Sequence, residues 1–370
     1  MPLTNYRTLG RSGLTVSPLA LGTMTFGAAR WGSGEDDARA VFNAYMDAGG
    51  NFVDTADVYS AGVGEEMLGR FILERSLRDT VVLATKSGFA AGKGPHQGGN
   101  GSKHIHSSVA GSLRRLRTDY IDLYWVHVWD SVTPAEELLE TMTSLVRAGK
   151  IRYWGLSNTP AWYVAKVATL AATRGLVGPI AMQYFYSLTN RDIEDEHAPV
   201  AAEFGLGIVP WSPLSFGFLS GKYDRATVEA AAPRSAGLPK DAAAAGDQRP
   251  ESDKRLDGAN PFGDTLFTER NWKIVDVLKQ VAKESGETPA RLALAWVTQR
   301  PGVSSTLMGV SRVAQVEENI ASLELVISAE HRAALDAVSA PDPRMLYTLF
   351  TSAVRQFAVF GGSNVTSWRS

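Results

Sequence analysis

The sequence predicts an α/β protein folded as a (β/α)8 TIM barrel with long loops at its C-terminal face. Three observations carry that expectation. Short apolar runs alternate with longer amphipathic segments about eight times, which points to a parallel sheet with helices outside and to closure into a barrel. No G-x-G-x-x-G fingerprint follows the first apolar run, which argues against an open dinucleotide-binding sheet. The 370 residues are ample for one barrel.

The expected strands are 17–22, 51–54, 81–86, 121–127, 151–158, 179–184, 205–211 and 305–310. Each is short, apolar and bounded by polar or turn-forming residues, as buried parallel strands are. Between them lie helical patterns at 36–48, 64–75, 107–116, 134–148, 161–174, 199–204, 271–285 and 289–299. Thr133-Pro134 and Thr288-Pro289 each read as an N-cap followed by proline at the first helical position. Gly149 reads as a helix stop beside Lys150. Gly64 reads as an acceptable N-cap. Residues 1–340 are expected to form the single barrel. Residues 223–268, rich in Ala, Pro, Gly, Asp and Arg, interrupt the rhythm as a variable loop, either a functional lid or disorder. Residues 341–370 form a tail whose aromatics are expected to pack on the barrel.

Composition excludes several function classes. Lys plus Arg number 37 against 39 Asp plus Glu, so no basic footprint points to nucleic acid or an anionic membrane. The chain has no cysteine, which removes disulfides, thiolate catalysis and cysteine-ligated metal. The N-terminus lacks the apolar core of a signal peptide, and no stretch approaches the roughly 20 apolar residues of a membrane span. A cytoplasmic location is expected. His104 and His106 lack a third ligand at metal-binding spacing, so no metal is expected.

In a barrel, chemistry gathers at the C-terminal strand ends. The second strand ends in Asp54, with Tyr59 just beyond it; the third ends in Lys86 and the fourth in His127. Taken singly, Asp54 reads equally well as a cap, Lys86 and His127 as rim residues, and Tyr59 as packing. Together on three consecutive strand ends they form an acid–base set. A free tyrosine, with a pKa near ~10, is a poor proton donor at neutral pH. The Lys86 ammonium is expected to lower that pKa, and Asp54 to hold the ammonium charged and aimed. His127 is suited to orient a carbonyl oxygen. Asp57, the second carboxylate of the stretch NFVDTADVYS, is assigned no catalytic role.

At these residues the chain resembles the aldo-keto reductases. The shared motifs are LALGTMTFG (19–27), FVDTADVYSAGVGEEMLG (52–69), ATKSG (84–88), SLRRLRTDYIDLYWVH (112–127), GKIRYWGLSN (149–158), MQYFYS (182–187), PWSPLSFGFLSGKY (210–223) and GVSRVAQVEEN (309–319). They occur in family order, and their style is closest to bacterial reductases similar to potassium-channel β subunits.

The resemblance implies roles. Tyr59 is then the general acid in reduction, tuned by Lys86 and Asp54, with His127 positioning the carbonyl. The hydride then comes from a nicotinamide, because no side chain supplies one, and Ser311 and Arg312 favour NADP(H) over NAD(H). Ser157, Asn158 and Gln183 match groups that bond the carboxamide, and Trp211 matches the ring on which nicotinamide stacks. Asp54, Gly22, Thr23 and Met24 border the same region. Ser212, Pro213, Leu214, Gly217, Leu219, Gly221 and Lys222 match the loop along the pyrophosphate. Gly309, Ser311 and Arg312 lead into a helix N-terminus suited to the 2′-phosphate. Gln315, Glu318 and Asn319 match the adenine side.

Met24, Trp31, Tyr59, Phe89, His127 and Trp129 are candidates for the substrate pocket. Its bulk suits a cyclic or polycyclic ketone or a deoxysugar as well as a small aldehyde. The glycine-rich stretch 90–101 lacks the GK[ST] ending of a phosphate loop and reads as a rim loop. The expected partner is a small carbonyl or alcohol substrate, and homo-oligomerisation is left open. Two other readings compete: an NADP(H)-binding regulatory subunit with slow turnover, and a lyase using Lys86 as a Schiff-base nucleophile. The lyase reading leaves Asp54, Trp211 and Arg312 without a purpose.

Overall fold

The computed structural model describes residues 2–28, 32–230, 255–257 and 264–365. Among the described residues ten strands appear in order. A short antiparallel hairpin, β1 (Arg7–Thr8) and β2 (Thr15–Val16), precedes the barrel. The barrel strands are β3 (Leu19–Gly22), β4 (Phe52–Asp54), β5 (Val82–Ser87), β6 (Ile121–Val126), β7 (Ile151–Ser157), β8 (Ala181–Phe185), β9 (Gly207–Trp211) and β10 (Thr306–Gly309). They pair in parallel in the order β10-β3-β4-β5-β6-β7-β8-β9. The ring closes where Ile208 donates to the Gly302 carbonyl and accepts from the Ser304 amide, both at 3.0 Å. The eight-strand expectation therefore holds, with ends within two residues of those expected.

The outer helices are α1 (Glu35–Asp47), α2 (Val63–Glu74), α3 (Ser102–Arg115), α4 (Ala135–Arg147), α5 (Ala161–Arg174), α6 (His197–Phe204), α7 (Arg225–Ala230), α8 (Glu269–Ser285), α9 (Pro289–Thr298), α10 (Val313–Ala321) and α11 (Ala329–Val338). The larger apolar cluster joins the inner faces of these helices to the outward-facing strand residues, such as Leu21, Val53, Leu83 and Tyr124. The smaller one fills the barrel with Ala20, Phe52, Val82, Ala84, Leu123, Trp125, Ala181, Val209 and Leu307. Leu9 and Val16 of the hairpin join this inner cluster and close the N-terminal end. Trp125 fits inside because its neighbour in register is Gly155; a Cβ there would stand 2.5 Å from the indole.

Capping differs from expectation at two helices. Thr288 does cap α9, its hydroxyl accepting from the Arg291 amide at 3.2 Å. Thr133 does not cap α4: its hydroxyl donates to Asp130 at 2.6 Å, and Pro134 takes the N-cap position. Gly64 lies inside the first turn of α2, and Gly62, with φ at +93°, is the residue that caps it.

Most of the variable loop lies outside the described residues, so the choice between lid and disorder lies there too. Its described parts are α7, a short segment at 255–257, and the approach to α8 from 264. Leu256 is buried, and its amide donates to the Tyr223 hydroxyl at 2.9 Å.

The tail departs from the expectation of aromatic packing. It is held at its root by polar contacts: Arg344 pairs with Asp192 and Asp195, and the Tyr347 hydroxyl donates to Glu196 at 2.5 Å. Phe350 and Phe357 remain mostly exposed, because the short helical turns there present them to solvent.

Candidate active site

Strand register brings the catalytic candidates together. Asp54 stands opposite Ala84 at the end of β4, and Lys86 stands two residues further along β5, on the same face. Lys86 has no exposed surface. Its ammonium donates to the Asp54 carboxylate, to the Thr55 carbonyl at 2.8 Å and to the Tyr59 hydroxyl at 3.4 Å. Gln183, reaching across from β8, donates to the other Asp54 oxygen at 3.1 Å. The second oxygen is thereby satisfied, which an ion pair this deeply buried requires.

Tyr59 sits on a 3₁₀ turn of residues 59–62. Ser60 and Ala61 hold positive φ there, at +48° and +54°, a cost tolerated where surrounding structure fixes the backbone. Part of that fixing comes from Ser60, whose hydroxyl donates to the Phe26 carbonyl at 2.9 Å. The His127 ring stands edge-on to Tyr59 at 5.9 Å and to Phe89 at 4.6 Å between centroids.

Electrostatics assign charge states. Burial lowers Lys86, but the Asp54 and Tyr59 charges outweigh it, so its pKa is raised and the ammonium is kept. Burial followed by Lys86 pushes His127 well below its ordinary value, so the imidazole is neutral. Its Nδ1 is buried without a hydrogen-bond partner among the described residues. The expected fall in the Tyr59 pKa is not observed: burial raises it, and the pull of Lys86 only partly offsets that. Desolvation of the phenolate is the larger effect and outweighs the attraction of the ammonium. Tyr59 is thus a protonated phenol held against a cation.

Of the expected cofactor residues, Thr23, Ser157, Asn158 and Trp211 lie at the same strand ends. Thr23 is fixed by its amide and hydroxyl, which donate to the Asp54 carbonyl at 2.9 and 3.1 Å. Asn158, at φ +47°, donates to the His127 carbonyl at 2.9 Å and to the Ser157 hydroxyl at 3.0 Å. It also accepts from the Trp211 indole at 3.2 Å. Trp211 is half-buried and stacks on Phe185, with centroids 4.9 Å apart and planes 19° apart. Beyond it, Ser212 and Gly217 hold left-handed backbone. Gly217 leaves room for the Lys222 stem, which a Cβ would meet at 2.9 Å.

Leu219 is wholly buried in the core, backbone included. Gly221 ends the same turn against α8, where a Cβ would stand 3.0 Å from Lys279. Gly22 and Gly309 end the neighbouring strands β3 and β10 in register. Arg312 caps α10, and Gln315 accepts from the Ser311 amide at 2.9 Å. Glu318 accepts from Thr288 at 3.0 Å, and Asn319 is buried nearby. Trp31 lies outside the described residues. Trp129 packs edge-on against Trp162 at 5.6 Å, which extends the aromatic rim beyond the expected set.

Three groups were missed from sequence. Arg255 reaches the site from the variable loop, its guanidinium 4.8 Å over the Phe216 ring and 3.7 Å from the Met24 sulfur. Nothing in the irregular run KRLDG marks it. Thr55 contributes a backbone carbonyl, which no side-chain pattern can reveal. Glu65 is fully buried behind the site and accepts from Thr85 at 2.6 Å and from Arg115 at 2.6 Å. A signal for it did exist, since Glu65 shares the i, i+3, i+7 face of Leu68 and Ile72.

Comparison with known proteins shows the family. The sequence model described as the Aldo/keto reductase family matches residues 18–340. A rice protein named "Probable voltage-gated potassium channel subunit beta" is 36% identical over 87% of this chain and 92% of its own. The Bacillus subtilis "Uncharacterized oxidoreductase YrpG" is 34% identical over 88% of this chain and 93% of its own. "Norsolorinic acid reductase" of Aspergillus flavus is 33% identical over 88% of this chain and 78% of its own. Among the described residues no helix is long and apolar enough to cross a membrane. A (β/α)8 barrel with these strand-end residues, matched across most of its length, is an oxidoreductase of the aldo/keto reductase family.

Proposed function

We propose that this protein reduces an aldehyde or ketone to the alcohol, reversibly, with NADPH. The observation that carries the reading is the buried chain from Gln183 through Asp54 and Lys86 to Tyr59, beside a neutral His127. The dinucleotide supplies the hydride, which no side chain can. As the C=O bond opens, its oxygen takes up negative charge, and Tyr59 donates its proton there. Lys86 stabilises the tyrosinate left behind, and Asp54 keeps Lys86 charged. His127 donates a hydrogen bond to the same oxygen and holds it near Tyr59. In oxidation the tyrosinate takes the alcohol proton.

The residues present fit the dinucleotide. Phe185 covers one face of Trp211, which leaves the half-buried ring able to stack a planar nicotinamide on the other. Ser157, Asn158 and the side-chain oxygen of Gln183 would hold the carboxamide, and Ser212, Gly217 and Lys222 would hold the pyrophosphate. Ser311 and Arg312 suit a 2′-phosphate, since a guanidinium matches a phosphate dianion. Met24, Phe89, Trp129 and the adjoining Trp162 give the substrate an aromatic approach, which favours bulky ring ketones over small aldehydes. A cysteine-free composition fits a reducing, cytoplasmic setting.

The likeness to proteins named as potassium channel β subunits supports a second reading. In it the chain holds NADP(H) tightly, turns over slowly and regulates a partner. One experiment separates the two: loss of NADPH absorbance against a panel of aldehydes and ring ketones, with Tyr59→Phe as control. Turnover that disappears in Tyr59→Phe supports the reductase. Tight NADPH binding with no turnover on any carbonyl supports the regulatory subunit and overturns the first reading.

A further inference from the structure

Asp57 lies three positions after Asp54 and two before Tyr59. Its carboxyl is buried among Glu65 of α2, Arg115 and Ser108 of α3, and the Tyr124 hydroxyl of β6. Asp57 Oδ1 has no hydrogen-bond partner among the described residues. Glu65 is already committed, holding Thr85 and Arg115. Two buried carboxylates therefore lie in the field of one guanidinium, and only Glu65 is bonded to it. With both ionised the cluster carries an uncompensated negative charge out of water, an expensive arrangement. A proton on Asp57 removes it.

The cluster is tied to the catalytic turn by backbone and by packing. The Asp57 amide donates to the Lys86 carbonyl at 3.1 Å. The next amide but one, that of Tyr59, donates to the Ala56 carbonyl at 3.2 Å. Arg115, which holds Glu65, also lies across Gly62 at the end of the Tyr59 turn, where a Cβ would meet its side chain at 2.8 Å. Strain at the Cα atoms of Ser60 and Ala61 means that this turn keeps its shape only while its surroundings hold it.

We propose that Asp57 is a positioning residue that works in its protonated form. As a neutral acid it shares the buried cluster with Glu65 and Arg115 and sets the turn that carries Tyr59. When it ionises, repulsion from Glu65 displaces the turn and turnover falls. Burial first, then the Glu65 charge, raises the Asp57 carboxyl to about 7 against the pull of Arg115, so the change falls near neutral pH. The turnover half of this inference rests on the proposed role of Tyr59; the titration of Asp57 does not.

The test compares the full chain with Asp57→Asn, which keeps the shape of the neutral acid. First, kcat/KM with NADPH and a ring ketone is followed from about pH 5 to about pH 9. The wild type is expected to lose activity by about tenfold per pH unit above about pH 7, and Asp57→Asn to lack that limb. Superimposable profiles, or an Asp57→Asn protein inactive throughout while folded, would overturn the proposal.

Second, Tm is followed over the same range. Asp57 has a folded pKa above its unfolded value near ~3.9, so it holds a proton when folded and releases it on unfolding. Its stabilisation is full at the acid end and fades as pH rises to about 7. The wild-type Tm should therefore fall relative to that of Asp57→Asn across this window and then level. A constant difference in Tm overturns the titration. Absence of turnover on every carbonyl sinks the proposed function instead, and leaves the titration to be judged by Tm.

Discussion

The Lys86 ammonium has no exposed surface and sits 3.4 Å from the Tyr59 hydroxyl, with Asp54 on its other side. Lys86→Met keeps the stem packing but strands the Asp54 carboxylate. Removing one partner of a buried ion pair costs about 3–5 kcal/mol. The expected outcome is a large fall in Tm together with loss of turnover. A protein of wild-type Tm would show that the pair does not stabilise the barrel. Asp54→Asn keeps the shape but offers one acceptor oxygen where Lys86 and Gln183 both donate, and it leaves the buried ammonium without its counter-charge, so it should also be strongly destabilised.

Tyr59→Phe removes the proton donor and leaves a ring of nearly the same shape. General acid catalysis contributes roughly 10²–10⁴-fold, so kcat should fall by that factor while the Kd for NADPH is unchanged. A kcat within a few-fold of wild type would move the proton donor elsewhere, with His127 the next candidate. Stopped-flow turnover and fluorescence titration of NADPH read the two quantities separately.

His127 gives a prediction of opposite sign to that for Asp57. Burial and Lys86 keep it neutral in the folded protein, whereas the unfolded chain takes up a proton near pH ~6.5. Its contribution to stability is present above that pH and is lost as pH falls below it. Because His104 and His197 are also depressed by burial, the contribution is isolated by difference. The gap in Tm between wild type and His127→Asn should shift toward the variant as pH drops from about 7 to about 5. A gap independent of pH would mean that His127 keeps its charge when folded.

Gly155 tests the packing beneath the site. A Cβ there would stand 2.5 Å from the Trp125 indole and 2.6 Å from the Ala181 carbonyl, neither of which can yield easily inside a closed barrel. Gly155→Ala should destabilise by about 1–3 kcal/mol or more through overpacking. Trp125→Phe in the same chain should recover part of that loss, since the ring that blocks the methyl is then smaller. Equal losses in the single and double variants would place the strain on the Ala181 carbonyl instead.

The barrel was legible because its two periodicities are strong and local. Apolar runs such as 81–86 and 121–127 become strands within a residue or two, and 161–174 becomes α5 without adjustment. Asp54, Lys86 and His127 were legible for a related reason: polar residues ending apolar runs stand at one rim once the barrel closes. What escaped depends on neighbours distant in sequence. Thr133 looks like a cap until Asp130 takes its hydroxyl. The balance of burial against Lys86 at Tyr59 is a question of depth, which spacing does not encode. Asp57 looked idle because its partners, Glu65 and Arg115, come from two different helices. The tail aromatics have the composition of packed residues, yet among the described residues Arg344 and Tyr347 at its root hold the tail through polar contacts.

Arg312 caps α10 beside Ser311, where the chain leaves β10. If this is the seat of the 2′-phosphate, the guanidinium distinguishes NADPH from NADH by that group alone. A hydrogen bond to a charged partner contributes about 1.5–3 kcal/mol, so Arg312→Ala should raise the Kd for NADPH by roughly 10- to 150-fold. The Kd for NADH should hardly change, because its ribose carries no phosphate for the arginine to meet. Fluorescence titration with both dinucleotides reads the ratio directly, and raised salt should weaken NADPH binding in the wild type more than in the variant. Equal losses for the two cofactors would mean that Arg312 supports the fold of α10 rather than the phosphate, and the preference for NADPH would then have to come from another residue.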